Sequence, residues 1–271
     1  MAIRLLNGGI KLISREKLLE FMREEAYNPM TDNELASIFN LKTNDIASFY
    51  SVLEDMEKKG EIIKTKKKRY AAPERMNLMV GKLQMHTKGF GFILSEIDGY
   101  SDVFIPATDI NGAMHNDRVI GRISRKSADG KKSEGEIIRI LTRANDEIVG
   151  TYEGSKNFGF VVADDNRINM DIYIPKSEVN GAKEGFKVIA KITKWPEPRR
   201  NPEGTIIEVL GHKDDVGTDI ISIIKKHKLP EEFPKKVKTA ADAIEDKIPQ
   251  EEIDRRRDLR NERIFTIDGS D

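Results

Sequence analysis

The segment Lys88-Gly89-Phe90-Gly91-Phe92 decides the fold, and a related segment, Lys156-Asn157-Phe158-Gly159-Phe160, follows later in the chain. Side chains alternate between the two faces of a β-strand, so Phe90 and Phe92 are expected on the same face. Gly91 lies between them without a side chain, which thins the opposite face and lets the strand bend. The two segments therefore predict two bent strands, each with two aromatic rings on one side.

A second aromatic strand follows each segment: Asp102-Val103-Phe104-Ile105-Pro106 in the first copy and Asp171-Ile172-Tyr173-Ile174-Pro175 in the second. If these strands pair with the strands before them, three rings share one surface beside a lysine in each copy. An unpaired base that stacks on an aromatic ring gains about 1–3 kcal/mol, and lysines neutralise phosphates. The candidate RNA-binding residues are therefore Lys88, Phe90, Phe92, Phe104, Lys156, Phe158, Phe160 and Tyr173. The alternative is that these are ordinary barrel strands with no binding role.

The two copies are units of one internal repeat. A spacing of 69 residues separates Asn111-Gly112-Ala113 from Asn180-Gly181-Ala182, and the same spacing separates Gly81 from Gly150. Each unit has room for five short strands, which is the size of a small Greek-key barrel. The repeat therefore predicts two tandem OB-fold barrels.

The composition narrows the class of protein. A chain of 271 residues can form two to four small domains. It has no cysteine, which excludes disulfides and thiolate metal sites and favours a reducing cytoplasm. No apolar run is long enough to span a membrane, so no membrane partner is expected. The 46 basic and 46 acidic residues balance, which argues against indiscriminate coating of nucleic acid but not against a local basic groove.

The N-terminal part predicts a winged helix. Helical spacing begins at Arg15, and Thr31-Asp32-Asn33-Glu34 is a capping box that opens a second helix. A longer helix then ends before Gly60, and a hairpin follows with the basic tip Lys66–Arg69. This order of elements is typical of nucleic-acid-binding winged helices.

Two interpretations of the winged helix stay open. Its basic tip favours contact with structured nucleic acid, whereas the outward face of the long helix is acidic, with Asp45, Glu54, Asp55 and Glu57. Acidic side chains disfavour groove binding because they repel phosphates. The alternative is a domain that binds protein or acts as a spacer.

The C-terminal part predicts helices and then a strand. Asp215–Lys228 is amphipathic, with isoleucines 220, 223 and 224 on one face. Further helices are expected over Lys238–Asp246 and Ile248–Asp258, and Phe265–Ile267 has a strand composition. The only tryptophan, Trp195, is expected to pack at a barrel rim rather than to stack on a base.

Two sets of motifs resemble known families. The sequence Lys-Gly-Phe-Gly-Phe-Ile followed by Asp-Val-Phe-Ile resembles the ribonucleoprotein motifs of cold-shock domains, with Pro106 and Pro175 where those domains carry histidine. The order of winged helix, two cold-shock barrels, Arg256–Arg260 and Phe265–Gly269 resembles the N-terminal part of ribonuclease R, in the family of 3′-to-5′ hydrolytic exoribonucleases that includes ribonuclease II.

The resemblance implies an α+β multidomain fold. The expected parts are a winged helix-turn-helix domain over 1–75, two OB (cold-shock) domains over 78–145 and 146–211, and a helical linker with the start of a catalytic domain over 212–271. In that family the segment Thr-Ile-Asp-Gly opens the catalytic domain and leads into aspartates that hold magnesium. Asp268 matches the first of these aspartates. One carboxylate cannot hold the cations, so this chain is expected to bind no magnesium and to be inactive alone.

The expected function is the binding and delivery of single-stranded RNA within a ribonuclease-R-like exoribonuclease, truncated before the catalytic core. The implied partners are single-stranded RNA, structured RNA through the winged helix, and ribosomes or RNA-decay proteins; the chain is expected to be a cytoplasmic monomer. One alternative is a stand-alone RNA chaperone or adaptor. Another is a DNA-binding regulator of the winged-helix type. The four histidines, His86, His115, His212 and His227, lack zinc spacing.

Overall fold

The computed structural model describes residues 13–97, 99–126, 133–197, 200–244 and 247–267. The chain divides into two compact units between Lys226 and His227. The first unit contains the winged-helix region and two closed barrels, and the second contains two short helices.

The winged-helix region has three helices and a hairpin: α1 Arg15–Arg23, α2 Asp32–Ile38, α3 Thr43–Lys58, β1 Ile63–Lys64 and β2 Tyr70–Ala71. The predicted capping box is present, since the Thr31 side chain accepts from the Glu34 amide and Glu34 accepts from the Thr31 amide at 2.7 Å. Gly60 follows α3 at φ 70°, the left-handed conformation expected of a helix cap. The apolar faces of the helices form one core that includes Leu18, Met22, Leu35, Leu53 and Met56.

Two details of this region correct the sequence prediction. Asp45 was expected on the outward face of α3, but it is buried. Asp55 is half-buried and forms ion pairs with Arg15 and Lys59, so the face is less acidic than its composition suggests. In the basic tip, Arg69 donates to Glu34 at 3.0 Å and is held against α2. The other tip residues, the lysines 66–68, make no such bond to α2 in the described part of the chain.

The first barrel has the strands β3 Leu78–Met85, β4 Gly91–Ser95, β5 Val103–Ile105, β6 Arg118–Lys126 and β7 Ser133–Thr142. They close in the order β3-β4-β5-β7-β6, with β5 and β7 parallel and the other pairs antiparallel. The inward residues form a core around Leu83, Ile93, Ile105 and Val119. This is the five-strand OB topology that the repeat predicted.

The second barrel has the strands β8 Glu147–Gly154, β9 Phe158–Ala163, β10 Ile172–Pro175, β11 Phe186–Lys194 and β12 Glu203–His212. Their order, β10-β12-β11-β8-β9, is the same closed topology. Its core includes Val161, Ile172, Val188 and Ile206. The fold is therefore α+β, with two OB barrels in tandem.

The repeat is also visible in matching contacts. The Asn111 side chain donates to the Ile137 carbonyl, and Asn180, which lies 69 residues later, donates to the Ile206 carbonyl. The two asparagines have φ values of 50° and 49°. Asparagine tolerates this left-handed conformation better than most residues, which explains why it stands at both turns.

A final helix of the first unit, α4 Thr218–Lys226, packs on the second barrel. It buries Thr218 and Ser222, whereas Ile220 and Ile223 are 60% and 55% exposed. The helix is present as predicted, but of the three isoleucines expected on its apolar face only Ile224 is partly buried. On the side that faces the barrel, Lys225 forms an ion pair with Glu208 at 2.8 Å.

The second unit contains α5 Lys235–Asp242 and α6 Gln250–Arg255, which are the two further helices predicted, at shifted bounds. Phe265–Ile267 is exposed and is not a strand, contrary to its composition. A strand needs a partner for its backbone groups, and none pairs with it among the described residues. Asp268 lies outside the described residues. No helix in the described part of the chain is long and apolar enough to cross a membrane.

Candidate nucleic-acid interface

The first barrel brings Phe90, Phe92 and Phe104 together, and we call these rings the first platform. Phe92 on β4 is directly opposite Phe104 on β5, and Phe90 immediately precedes β4. The ring centroids lie 5.5–5.9 Å apart in tilted and edge-to-face arrangements. These are ordinary aromatic packing distances, so the rings support one another as one surface, as the sequence predicted.

The second barrel repeats this arrangement with Phe158, Phe160 and Tyr173, the second platform. Tyr173 on β10 is directly opposite Phe160 on β9. The centroids lie 5.6–5.8 Å apart. The substitution of tyrosine for phenylalanine therefore leaves the geometry unchanged.

Both platforms are accessible from solvent. Phe92 and Phe158 are 37% and 39% exposed, and the other four rings are half-buried. Intervening residues of the same strands, such as Ile93 and Ile105, point into the core and are fully buried. The rings are thus held from below by a packed barrel and open above, which is the condition for stacking with an external base.

His86 extends the first platform, although no sequence pattern indicated it. Its ring stacks on Phe90 with a centroid distance of 4.4 Å and an interplanar angle of 9°. The backbone holds it there, because the His86 amide donates to the Phe90 carbonyl at 2.8 Å and the Lys88 amide donates to His86 Nδ1 at 3.2 Å. Its position four residues before Phe90, at the end of β3, was the available signal.

The predicted lysines lie beside the platforms in sequence and are exposed. Lys88 is in the turn that joins β3 to β4, and Lys156 is in the equivalent turn between β8 and β9. Neither forms an ion pair with a described residue, so both remain available to phosphates. A free lysine contributes a mobile point charge, which suits a flexible strand of nucleic acid.

The two platforms are linked by a contact between the barrels. A Cβ atom placed on Gly89, which has φ +89°, would lie 3.1 Å from Nδ2 of Asn169. Gly89 lies in the turn between β3 and β4, next to Phe90 of the first platform. Asn169 lies in the connection between β9 and β10, which carry the second platform. The hairpin of the second platform therefore extends to the edge of the first.

A buried ion pair fixes this arrangement. Asp117 has 0% side-chain exposure and accepts from the amides of Met114 and Ala144 and from Arg143, each at 2.9 Å. Arg143 also donates to the Gly112 carbonyl at 2.7 Å, and its guanidinium lies 4.4 Å from the Trp195 ring centre. Trp195 packs against the core of the second barrel, so it has the packing role that was predicted. We call these three side chains the inter-barrel clamp.

A buried histidine lies next to the clamp. His115 is 3% exposed, and its Nδ1 accepts from the Met85 amide at 3.1 Å. Burial lowers the pKa of His115, and the nearby positive charge of Arg167 lowers it further. The imidazole is therefore neutral at pH 7, and it acts as a hydrogen-bond acceptor inside the junction.

The described residues contain no group of three or more histidine or acidic side chains that could hold a metal ion. The residue that the family resemblance assigned to magnesium, Asp268, lies outside them.

Comparison with known proteins matches both barrels to family models. Residues 81–140 match the ribonuclease B OB domain, and residues 160–234 match the cold shock domain. The first match contains the first platform, and the second contains Phe160 and Tyr173.

Relatives extend the match over almost the whole chain. Ribonuclease R of Thermotoga maritima is 35% identical over 263 residues, which are 96% of this chain and 36% of that protein. Ribonuclease R of Escherichia coli K12 is 31% identical over 260 residues, which are 95% of this chain and 32% of that protein. The chain thus spans about a third of the length of these relatives.

Solved structures agree on the fold. Mycoplasma genitalium RNase R, in complex with ribose methylated single-stranded RNA, superposes with a TM-score of 0.54 at 24% identity, covering 62% of this chain and 27% of that one. Its apo form gives the same TM-score. With both barrels matched to the domain models and 96% of the sequence aligned, the chain is homologous to about a third of ribonuclease R.

Proposed function

We propose that this chain binds single-stranded RNA through its two aromatic platforms and serves as the RNA-binding part of a ribonuclease-R-like 3′-to-5′ exoribonuclease. The observation that carries the proposal is the pair of solvent-open ring clusters, each with an exposed lysine in the adjacent turn. Rings of this kind stack on bases that are free of a partner strand. The RNase R of Mycoplasma genitalium, which shares the fold, forms a complex with single-stranded RNA, and this supports the assignment.

The contact between Gly89 and Asn169 supports one continuous path rather than two separate sites. Asn169 is four residues before Tyr173, and four residues of extended chain span no more than about 15 Å. The second platform therefore begins within about 15 Å of the contact at Gly89, which is next to Phe90 of the first platform. That distance corresponds to a few nucleotides of single-stranded RNA. A strand that stacks on the first platform therefore has the second platform within reach.

The balanced charge of the chain sets the character of this binding. With 46 basic and 46 acidic residues, attraction to phosphates is local, so stacking is expected to supply most of the affinity. The winged helix offers the lysines 66–68 as a secondary contact for structured RNA. We further expect a cytoplasmic monomer that works with ribosomes or RNA-decay proteins.

In the proposed exoribonuclease, the hydrolysis of RNA would use magnesium. The described residues supply no group of carboxylates and histidines that fits such an ion. A stand-alone chaperone or adaptor would use the same platforms, and no observation favours it over the exoribonuclease.

Platform variants test the proposal. In one variant Phe90, Phe92 and Phe104 become alanine, and in a second Phe158, Phe160 and Tyr173 do. Each is expected to weaken binding of a fluorescein-labelled 15-nucleotide oligouridine by at least about ten-fold, because each stacked base contributes about 1–3 kcal/mol. The matched control is Phe233→Ala, which removes a ring that is 73% exposed in the second unit.

Fluorescence anisotropy measures the affinity, and circular dichroism verifies that each variant is folded. A folded first-platform variant that binds as tightly as the wild type would remove the platform from the proposal. Equal losses for the control and the platform variants would show that any exposed ring contributes.

A further inference from the structure

One face of Phe90 in the first platform is already covered. The imidazole of His86 lies parallel to the Phe90 ring, with a centroid distance of 4.4 Å and an interplanar angle of 9°. Layers in direct contact lie about 3.5–4.0 Å apart, so a base placed between these rings would have to separate them to about 7 Å. A base that arrives from solvent therefore meets the imidazole and not this face of Phe90.

The other contacts of Phe90 are made by the platform itself. Phe92 lies edge-to-face with Phe90 at 5.9 Å, and Phe104 lies tilted against it at 5.5 Å. Phe90 is half-buried, whereas His86 is exposed. The outer face of the imidazole is thus the flat surface that this end of the first platform presents to solvent.

The turn between β3 and β4 holds the imidazole in this position. The His86 amide donates to the Phe90 carbonyl at 2.8 Å, and the Gly89 amide donates to the His86 carbonyl at 2.9 Å. Nδ1 of the ring accepts from the Lys88 amide at 3.2 Å. Because the ring is fixed before RNA arrives, stacking on it costs little conformational entropy.

The second platform has no counterpart of this ring among the described residues. Ser155 takes the backbone role of His86, since its amide donates to the Phe158 carbonyl at 2.8 Å. The rings that contact Phe158 are those of Phe160 and Tyr173, and Phe158 is 39% exposed. A base can therefore stack directly on Phe158, whereas at the first platform it meets His86. The two platforms thus differ in the residue that receives the base.

We propose that His86 is a base-binding residue, and that a base of single-stranded RNA stacks on the outer face of its imidazole. This inference rests on the proposed function, because it names a further contact for the RNA that the first platform binds. The base, the imidazole and Phe90 would form a column of three aromatic layers. In the neutral imidazole the proton lies on Nε2, since Nδ1 accepts from the Lys88 amide, and Nε2–H is then the donor that the ring offers to the nucleotide.

Two substitutions of His86 separate the role of the ring from the role of the turn. His86→Asn removes the ring but keeps an acceptor, because an asparagine side chain accepts from the amide two residues later. His86→Phe keeps a ring and removes the acceptor. A base-binding role predicts that His86→Asn weakens binding of the fluorescein-labelled oligouridine by at least about five-fold, and that His86→Phe stays within about two-fold of the wild type. The matched control His227→Asn changes an exposed histidine of the second unit and is expected to leave the affinity within about two-fold.

Proton NMR of the imidazole signals tests the contact directly on the wild-type chain. The ring current of a base stacked on His86 is expected to move the Cε1–H signal of His86 upfield as oligouridine is added. His115 is 3% exposed and is the internal control, whose signal is expected to stay in place. Either variant of His86 identifies the signal by removing it.

A His86 signal that stays in place while the wild type binds oligouridine would overturn this inference and leave the proposed function intact. The reverse pattern of affinities, a loss for His86→Phe and none for His86→Asn, would also overturn it, because His86 would then only hold the turn. Failure of the wild type to bind oligouridine would overturn the proposed function as well.

Discussion

Replacing Asp117 by alanine is expected to destabilise the inter-barrel clamp more than any other single change there. The carboxylate is fully buried, and three donors converge on it at 2.9 Å: the amides of Met114 and Ala144 and the Arg143 guanidinium. Alanine leaves two backbone donors and one cation without their acceptor. Among the described residues, Asp117 is the only carboxylate that pairs with Arg143.

The size of the effect follows from these partners. Breaking a buried ion pair by removing one member costs about 3–5 kcal/mol, because the other charge stays buried and unpaired. Arg143 keeps 22% side-chain exposure, its bond to Gly112 and its contact with Trp195, so part of its charge remains compensated. The lower end, about 3 kcal/mol, is therefore expected for Asp117→Ala.

Urea unfolding measures this change. Trp195 is the only tryptophan and lies on the clamp, so its fluorescence reports on the junction, while circular dichroism reports on the barrels. The control is Asp102→Ala, an exposed carboxylate with a single bond to the Ser95 amide at 3.1 Å, for which a loss below about 1 kcal/mol is expected. An equally small loss for Asp117→Ala would refute the clamp as a stabilising element.

Four further predictions follow from other parts of the fold. Gly81→Ala is expected to destabilise the first barrel strongly in thermal unfolding, because a Cβ atom there would lie 1.9 Å from the Leu94 carbonyl oxygen. The control Gln84→Ala, at an exposed position of the same strand, should leave the unfolding temperature nearly unchanged. Thr31→Ala removes the capping box of α2 and should cost about 1 kcal/mol in urea unfolding. His115 has a lowered pKa in the folded state, so its protonation favours unfolding. Its contribution to stability is complete above about pH 6.5 and is lost as the pH falls below that value. His115→Gln should therefore reduce the dependence of the unfolding free energy on pH, measured between pH 7 and pH 5. Replacing the lysines 66–68 by alanine should weaken binding of duplex RNA in anisotropy titrations and leave binding of single-stranded RNA within about two-fold, since single strands bind by stacking on the platforms; a larger loss on single strands would reverse these roles.

The platforms could be predicted from sequence because strand alternation and pairing determine them. Phe90 and Phe92 must share a face, and the aromatic strand that follows needs only the correct register to bring in Phe104. His86 was missed for a physical reason. Its stacking on Phe90 depends on the turn between β3 and β4, and no periodic pattern specifies how a turn folds back.

The orientation of α4 shows a second gap in sequence reasoning. The spacing of isoleucines predicted an amphipathic helix, and the helix is present, but its buried residues are Thr218 and Ser222. Periodicity identifies an apolar face without showing what lies opposite it. Here Lys225 pairs with Glu208 on the barrel, on the same side of the helix as the buried Thr218 and Ser222.

The clamp explains why two similar barrels adopt one fixed arrangement. Positions 69 residues after Asp117 and Arg143 are Phe186 and His212, so the repeat places corresponding pairs in both barrels. In the second barrel that pair is a ring contact with centroids 5.7 Å apart, whereas in the first it is a buried ion pair. The ion pair also contacts the following barrel, because the Arg143 guanidinium lies over the Trp195 ring. The departures from the repeat, more than the repeat itself, therefore specify how the second platform lies relative to the first.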